Sequence, residues 1–357
     1  MGFNERTRQN IRNAGRTDYA AGQSSVISMP RVGYLARAHI LVDGVMTVTP
    51  GTGTATLSEK APWNLFSRIR YEIGSGTTLF NTSGWGAYLT DLRSKLGYNP
   101  AYDGDMSSPF QTEIYDVSAD SGDNDWKFGL TIPIVPNERD ILGLILLQGE
   151  GTVTQFNLEW KQAGGLTHDF PVVLTGNATA TFAGTAKVVI ETFTVPSLLE
   201  DQPPLDRVFQ TLETVSPIHS VGENSIKLME ENTYLRLIHS VEINGRLSTD
   251  AIDRLLLRYN ITDVPYEIDK DTQLYLERRR YTRDMPKGVF VHEFFDQGYP
   301  NYGGDRDLVA AQGLAELESI LHVNAGTTLG SNNNVVRTIQ QQIVRVANPP
   351  AAPGGGM

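Results

Sequence analysis

The 357-residue sequence has no cysteine, so disulfides and thiol chemistry are excluded. Long hydrophobic runs are also missing. The longest, 141–147, has seven residues, against the roughly 18 that a membrane-spanning helix needs. The N-terminus is charged where a signal peptide carries an apolar core, and Arg6 stands where a myristoylation signal needs Ser or Thr. These absences lead us to expect a soluble, disulfide-free protein made inside the cell. The sequons at Asn81, Asn177 and Asn260 then read as chance.

Catalytic signatures are as scarce. There is no P-loop, dinucleotide fingerprint or Ser elbow, and the glycines at 74–76 and 84–86 read as turn and helix-entry positions. The six histidines (39, 168, 219, 239, 292 and 322) show no metal-ligand spacing. His239 and His292 are expected in strands, satisfied by neighbours or facing solvent. The cluster Asp120, Asp123, Asp125 lacks the glycine and terminal Glu of a calcium loop and reads as a solvated acidic loop. Trp63, Trp85, Trp126 and Trp160 lie in or beside apolar segments, which favours core packing over a sugar platform. The one dense basic run, RRRY at 278–281, has Glu277, Arg283 and Asp284 beside it and reads as an intersubunit salt-bridge rim. No catalytic residue, cofactor or metal is expected.

What the chain does have is punctuation. Its 34 Gly and 18 Pro are scattered between short apolar runs, the pattern of many strands and turns. The length suits two domains of about 150–170 residues. Net charge is −11, which disfavours sequence-specific nucleic-acid binding. Residues 1–37 nevertheless carry six Arg against Glu5 and Asp18. This asymmetry separates a basic N-terminal arm, 1–28, from an acidic body. Asn4 is placed to cap a helix running to about Ala14. On it Arg8, Arg12 and Arg16, spaced by four, would stack on one face. Arg6, Arg8, Arg12 and Arg16 are the candidate contacts of this arm with a membrane or a neighbouring subunit.

The body reads as all-β. The first domain, 29–197, has strands expected at 34–42, 65–73, 126–135, 153–160 and 186–195, with a helix over 83–96. A linker, 198–206, contains Pro203-Pro204, which can neither continue a helix nor sit inside a sheet. The second domain, 207–348, has strands expected at 207–215, 234–243, 273–277, 289–295 and 335–346, with a helix near 249–258; the tail, 349–357, reads as disordered. A faint internal repeat ties the halves together. LFSRIRYEIG ends a strand on Glu72-Ile73 and LRLIHSVEING ends one on Glu242-Ile243, 170 positions later, while Arg139-Asp140 and Arg306-Asp307 lie 167 apart. The expectation is two jelly-roll sandwiches in tandem with short flanking helices, the two Glu-Ile pairs overlaying.

Several segments carry a family resemblance. In the first half these are PRVGYLARAHILVDGVMTV, APWNLFSRIRYEIGSGTTLFNTSGWGAYL and LTIPIVPNERDILGLILLQ. In the second they are YLRLIHSVEINGRLSTDAIDRLLLRY, MPKGVFVHEFF and GDRDLVAAQGLAELESILHV, and together they span about two thirds of the chain. The chain thus resembles the double jelly-roll major capsid proteins of tailless icosahedral bacteriophages with an internal membrane, of the tectivirus and corticovirus type. The resemblance implies a homotrimer of pseudo-hexagonal outline that tiles a virion shell with neighbouring trimers. It also implies penton and minor capsid or membrane proteins as partners, an internal lipid membrane beneath, synthesis in the host cytoplasm, and no catalytic residue to carry over. Some glycan-cleaving amidases also pair two jelly rolls, but these are commonly exported and often disulfide-bonded. A glycan-binding surface protein is the remaining alternative.

Overall fold

The structure, a computed structural model, describes residues 7–74, 77–94, 117–135, 143–148, 154–162, 170–197, 207–230, 232–281, 285–294, 309–311, 313–330 and 333–345. The chain divides into two compact units after Gln210. The expected linker with Pro203-Pro204, the tail 349–357, and the anchors Arg139-Asp140 and Arg306-Asp307 lie outside the described residues.

The first unit contains β1 (Gln9–Asp18), β2 (Ser24–Ser28), β3 (Tyr34–Thr49), β4 (Ala55–Leu57), β5 (Phe66–Ile73), β6 (Thr77–Thr82), helix α1 (Gly84–Ser94), β7 (Gly122–Pro133), β8 (Ile145–Leu146), β9 (Thr154–Trp160), β10 (Val172–Leu174) and β11 (Thr179–Phe193). One sheet runs β1-β11-β3-β7 and the facing one β2-β9-β5-β6, all antiparallel. Alternation makes the sandwich. On β3, Ala38, Ile40 and Val42 are fully buried, and on β11 Ala186, Val188 and Ile190 face them from the same side. Aromatic rings fill the space between the sheets. Trp63 stacks on Tyr88 of α1 at 4.4 Å and meets Phe128 edge-on at 5.3 Å, and Phe66 stacks on Trp160 at 4.6 Å. All four tryptophans are buried, each ring pair adding about 0.5–1.5 kcal/mol beyond its area.

The second unit contains β12 (Arg207–Pro217), β13 (Gly222–Lys227), β14 (Thr233–Ile243), β15 (Arg246–Leu247), β16 (Ile252–Tyr259), β17 (Asp263–Asp269), helix α2 (Lys270–Tyr281), β18 (Val289–Glu293), β19 (Val309–Ala310), β20 (Leu317–Val323) and β21 (Val335–Arg345). Its sheets run β12-β21-β14-β18 and β13-β20-β16-β17. Ignoring the short strands β4, β8, β10, β15 and β19, each unit has eight strands paired in one pattern. The first pairs with the last, the last with the third, the second with the seventh, and the helix lies between the fifth and the sixth. That is the jelly roll, formed twice.

The pattern also corrects three expectations. First, residues 9–18 are a strand and not a helix, and residues 9–28 are not an arm: β1 and β2 open the first roll, as β12 and β13 open the second. β1 pairs along β11 and carries a bulge between Asn13 and Gly15. A Cβ on Gly15 would stand 2.7 Å from Ile27 of β2. Glycine there lets the strand bend onto the facing sheet, a pull that outweighs the four-residue spacing of the arginines. Second, the segment expected as a helix near 249–258 forms β16 from Ile252 on, sandwiched between β17 and β20, while 273–277 lies inside α2. A short apolar run reads equally as helix or strand, and pairing on both sides decided for strand. Asp269 starts α2: its carboxylate accepts from the Thr272 backbone N–H at 3.0 Å and from the Thr272 hydroxyl at 2.7 Å, bonds that lower its pKa.

Third, Glu72-Ile73 and Glu242-Ile243 do not overlay. Glu72 ends β5, the fourth strand of its roll, whereas Glu242 ends β14, the third strand of the other; the first roll's third strand, β3, lies in the sheet that faces β5. The counterpart of β5 is β16, and that of β14 is β3. What the two segments share is a local demand. Each closes a hairpin through a left-handed residue, Gly74 (φ 56) or Asn244 (φ 53), onto β6 or β15.

Because β1 is a strand with a full partner, deleting residues 1–20 should cost several kcal/mol rather than nothing. The truncated chain is expected to melt roughly 10 °C below the full one, read by calorimetry. An unchanged melting temperature would mean that β1 is dispensable, as an arm would be.

Candidate functional site

Of the candidate arm residues, Arg6 lies outside the described residues, and Arg8, Arg12 and Arg16 are exposed on the first roll. Arg8 just precedes β1, its backbone N–H donating to Thr194 Oγ1 at 2.9 Å. Arg12 stands opposite Ile190 and Arg16 opposite Lys187. Ile190 is fully buried and Lys187 exposed. The bulge between the two arginines therefore puts them on opposite faces of the sheet. The single basic stripe that a helix would present does not form. β1 is an edge strand, and on the facing sheet so is β2; each exposes one large apolar side chain, Ile11 (67%) and Val26 (58%).

The outer faces of the sheets carry paired charge. In the first roll Glu191 of β11 collects His39 Nε2 at 2.9 Å, Gln9 Nε2 at 2.9 Å and Arg37 at 3.6 Å, and the His39 bond leads in holding its carboxyl below the ordinary range. On the other sheet Glu72 accepts from Arg70 at 3.0 Å, Asn157 at 3.1 Å and Gln155 at 3.2 Å, with Arg70 the leading cause of its lowered pKa. In the second roll Arg337 of β21 bridges Glu242 of β14 at 2.8 Å and Glu213 of β12 at 3.3 Å, both carboxylates nearly buried. Beside them Arg236 pairs with Glu293 at 3.1 Å. These networks staple neighbouring strands.

The remaining sequence candidates resolve simply. In the acidic loop, Asp123 and Asp125 alternate with buried Asn124 and Trp126 along β7, so their carboxylates face solvent. The turn is held by Asn124, whose amide donates to the carbonyls of Met46, Asp120 and Gly122. Among the described residues no three His, Asp or Glu side chains gather at metal-binding geometry. Arg278, Arg279 and Arg280 form the last turn of α2, where cations suit the helix dipole. His239 and His292 do lie in strands, but both are wholly buried. Among the described residues neither nitrogen of His292 has a hydrogen-bond partner, contrary to the expectation of a satisfied or solvent-facing ring. The buried ion pairs went unread in the sequence, although their signal is there. On β14 Arg236 and Glu242 take even positions while Leu237, His239 and Val241 take odd ones, so a charged face and a core face alternate.

No protein-family profile and no curated protein matches this sequence. Solved structures do. The chain is similar to the major capsid protein of STIV, Sulfolobus Turreted Icosahedral Virus (TM-score 0.69, 14% identity, 95% of this chain and 97% of that one). It is similar to VP54 of PBCV-1 (TM-score 0.61, 10% identity, 94% of each chain). It is also similar to the major capsid protein P2 of bacteriophage PM2 (TM-score 0.55, 11% identity, 96% of this chain and 100% of that one). At such identities the likeness is one of fold: two jelly rolls in tandem over nearly the whole length.

Removing one member of a buried network leaves the others uncompensated. Arg337→Ala removes the cation that bridges Glu213 and Glu242 and is expected to cost about 3–5 kcal/mol in urea unfolding. Arg254→Ala, which breaks a half-exposed pair with Glu267 at 2.8 Å, should cost under about 1 kcal/mol.

Proposed function

We propose that this chain is a viral major capsid protein, a building block of an icosahedral shell. The observation that carries the reading is the pair of complete jelly rolls in one chain, which aligns end to end with viral coat subunits and spans nearly all of their length. Duplication has a geometric use. Three copies of a two-domain subunit offer six similar sides, so one gene product approximates hexagonal packing. We take the assembly unit to be a homotrimer, seated in the virion with penton and minor capsid or membrane proteins and with a lipid membrane inside.

The exposed basic residues fit this reading as subunit contacts. Arg12 and Arg16 project from opposite faces of an edge strand, and one planar surface, such as a layer of headgroups, cannot meet both. A neighbouring copy that wraps the edge can. Its acidic surface suits them, since the chain carries −11 overall despite its basic first strands. Ile11 and Val26 supply apolar contact area on the same two edge strands. The basic last turn of α2 is a second rim of this kind.

The purified protein should be a trimer by light scattering, with hexagonal outlines and arrays in negative stain; a protein that stays monomeric at high concentration would overturn the assignment. Replacing Arg8, Arg12 and Arg16 with Gln should reduce array formation at least several-fold while binding to anionic vesicles stays unchanged. Normal arrays with lost, salt-sensitive vesicle binding would instead place these side chains on lipid.

A further inference from the structure

The core of the second roll is divided in two. One apolar cluster includes Val241, Leu255, Phe290, Leu321 and Val336; the other includes Leu237, Leu257, Phe294 and Leu317. Between them, on the inward faces of three strands, one polar residue interrupts the alternation. His239 lies between Leu237 and Val241, His292 between Phe290 and Phe294, and Ser319 between Leu317 and Leu321. Thr338 faces His239 from β21. All four are fully buried. His239 Nδ1 lies 3.0 Å from Thr338 Oγ1 and its Nε2 lies 3.0 Å from Ser319 Oγ. The His292 ring meets that of His239 edge-on at 5.4 Å and that of Tyr266 at 4.7 Å. Among the described residues no hydrogen-bond partner reaches either of its nitrogens.

The charged neighbours do not compensate. On β14, Arg236 and Glu242 are on the outer face, as are Glu293 on β18 and Arg337 on β21, and they neutralise one another. Glu318 and His322 of β20 also point outward, to Arg258 and Asp253, and Arg254 of β16 points to Glu267. From β17 the facing group is Tyr266, whose hydroxyl donates to Gln273 at 2.6 Å and which also senses Arg280. From α2 the buried carboxylate is Glu277, already accepting from Gln273 and from the Val291 backbone N–H. Among the described residues no acidic side chain is hydrogen-bonded to either imidazole.

We propose that this two-histidine layer makes the second roll an acid-responsive element, whose sheets separate on mild acidification while the first roll stays closed. A proton on either ring would place a cation between two apolar clusters, so protonation follows opening and admission of water. Burial holds both imidazoles below their ordinary value of 6.5, His292 at about 3. The closed roll therefore keeps them neutral, while the open one takes up protons as pH falls below 6.5. Stability from this source is complete above that value and is lost between it and the folded values. Each ring raises the open-to-closed ratio about tenfold per pH unit in that window, and the pair about a hundredfold. Among the described residues of the first roll, the carboxylates held below their ordinary value of 4.5 are Glu191 and Glu72. Their loss begins only below that range, so the two rolls separate between pH 6.5 and about 4.5. The inference does not depend on shell formation.

The test is hydrogen exchange by mass spectrometry on the full chain between pH 7 and 5, corrected for intrinsic exchange rates. Amides of β14, β18 and β20 should lose protection by about a hundredfold from pH 6 to 5, while those of β3 and β11 do not change. The His239→Gln, His292→Phe double variant should flatten that dependence. An equal acid response in both rolls, or an undiminished one in the variant, would overturn the proposal. Should the variant fail to fold, NMR titration of the wild-type imidazoles decides. Rings that stay neutral until the amides open support the device, and rings that protonate near pH 6.5 with protection intact refute it.

Discussion

The pairing of the third strand with the last is the interaction on which each roll depends. In the first roll it joins β3, of 16 residues, to β11, of 15, and β1 and β7 can add only at the outer edges of this pair. At its centre Gly44 faces Gly184, and Phe182 lies against both: a Cβ on Gly44 would stand 2.6 Å from the Phe182 ring and 2.7 Å from Gly184 Cα. Two glycines in register thus let a bulky ring cross the ladder without breaking it. In the second roll the same role falls to β14 and β21, which carry no such glycines and use a 2.8 Å Arg337–Glu242 pair across the ladder instead. The pairing brings together segments far apart in sequence, so its loop-closure cost is met only when the whole roll closes. Each roll should therefore fold as a unit.

Much of this was legible in the chain, and the reasons differ by element. The strands β3, β5, β7, β9 and β11 announced themselves because their buried and exposed residues alternate over long stretches. Helix α1 did so because Tyr88, Leu89 and Leu92 recur at helical spacing between two turns. The edges were harder. β1 reads QNIRNAGRTD, with Ile11 its one large apolar residue, because an edge strand buries little on either face; its partner β11 identifies it. α2 was missed for the opposite reason. Its fully buried positions are Gln273 and Glu277, with Leu274 only partly buried beside them, so no continuous apolar stripe marks the buried face.

The repeat is the most instructive case. Two jelly rolls are present, yet the segments that first suggested them are not counterparts. Glu72-Ile73 and Glu242-Ile243 look alike because any strand ending in a tight hairpin needs an inward apolar residue and then a residue at home with positive φ. Local rules of this kind recur wherever the geometry recurs, so a match of a few residues reports the geometry, not the position in the fold. The true counterparts, β5 with β16 and α1 with α2, share no run longer than two residues. Topology is held by which strands pair, and many sequences satisfy one pairing order.

That freedom shows most clearly in the interiors. The first roll fills its sandwich with indole and phenyl rings packed face and edge. The second accepts a polar layer at the same depth, with His239 held by a threonine and a serine and His292 held only by rings. Burying an unpartnered imidazole costs about 1–3 kcal/mol relative to an apolar residue of like shape, with no gain in packing to offset it. A roll of this topology does not need such a layer, as the first one demonstrates. One wrapping of eight strands thus supports two cores of different chemistry, and the difference lies in a residue on each of three strands rather than in the fold itself. Stability can be tuned in one half of such a chain without disturbing the pairing order that builds either half.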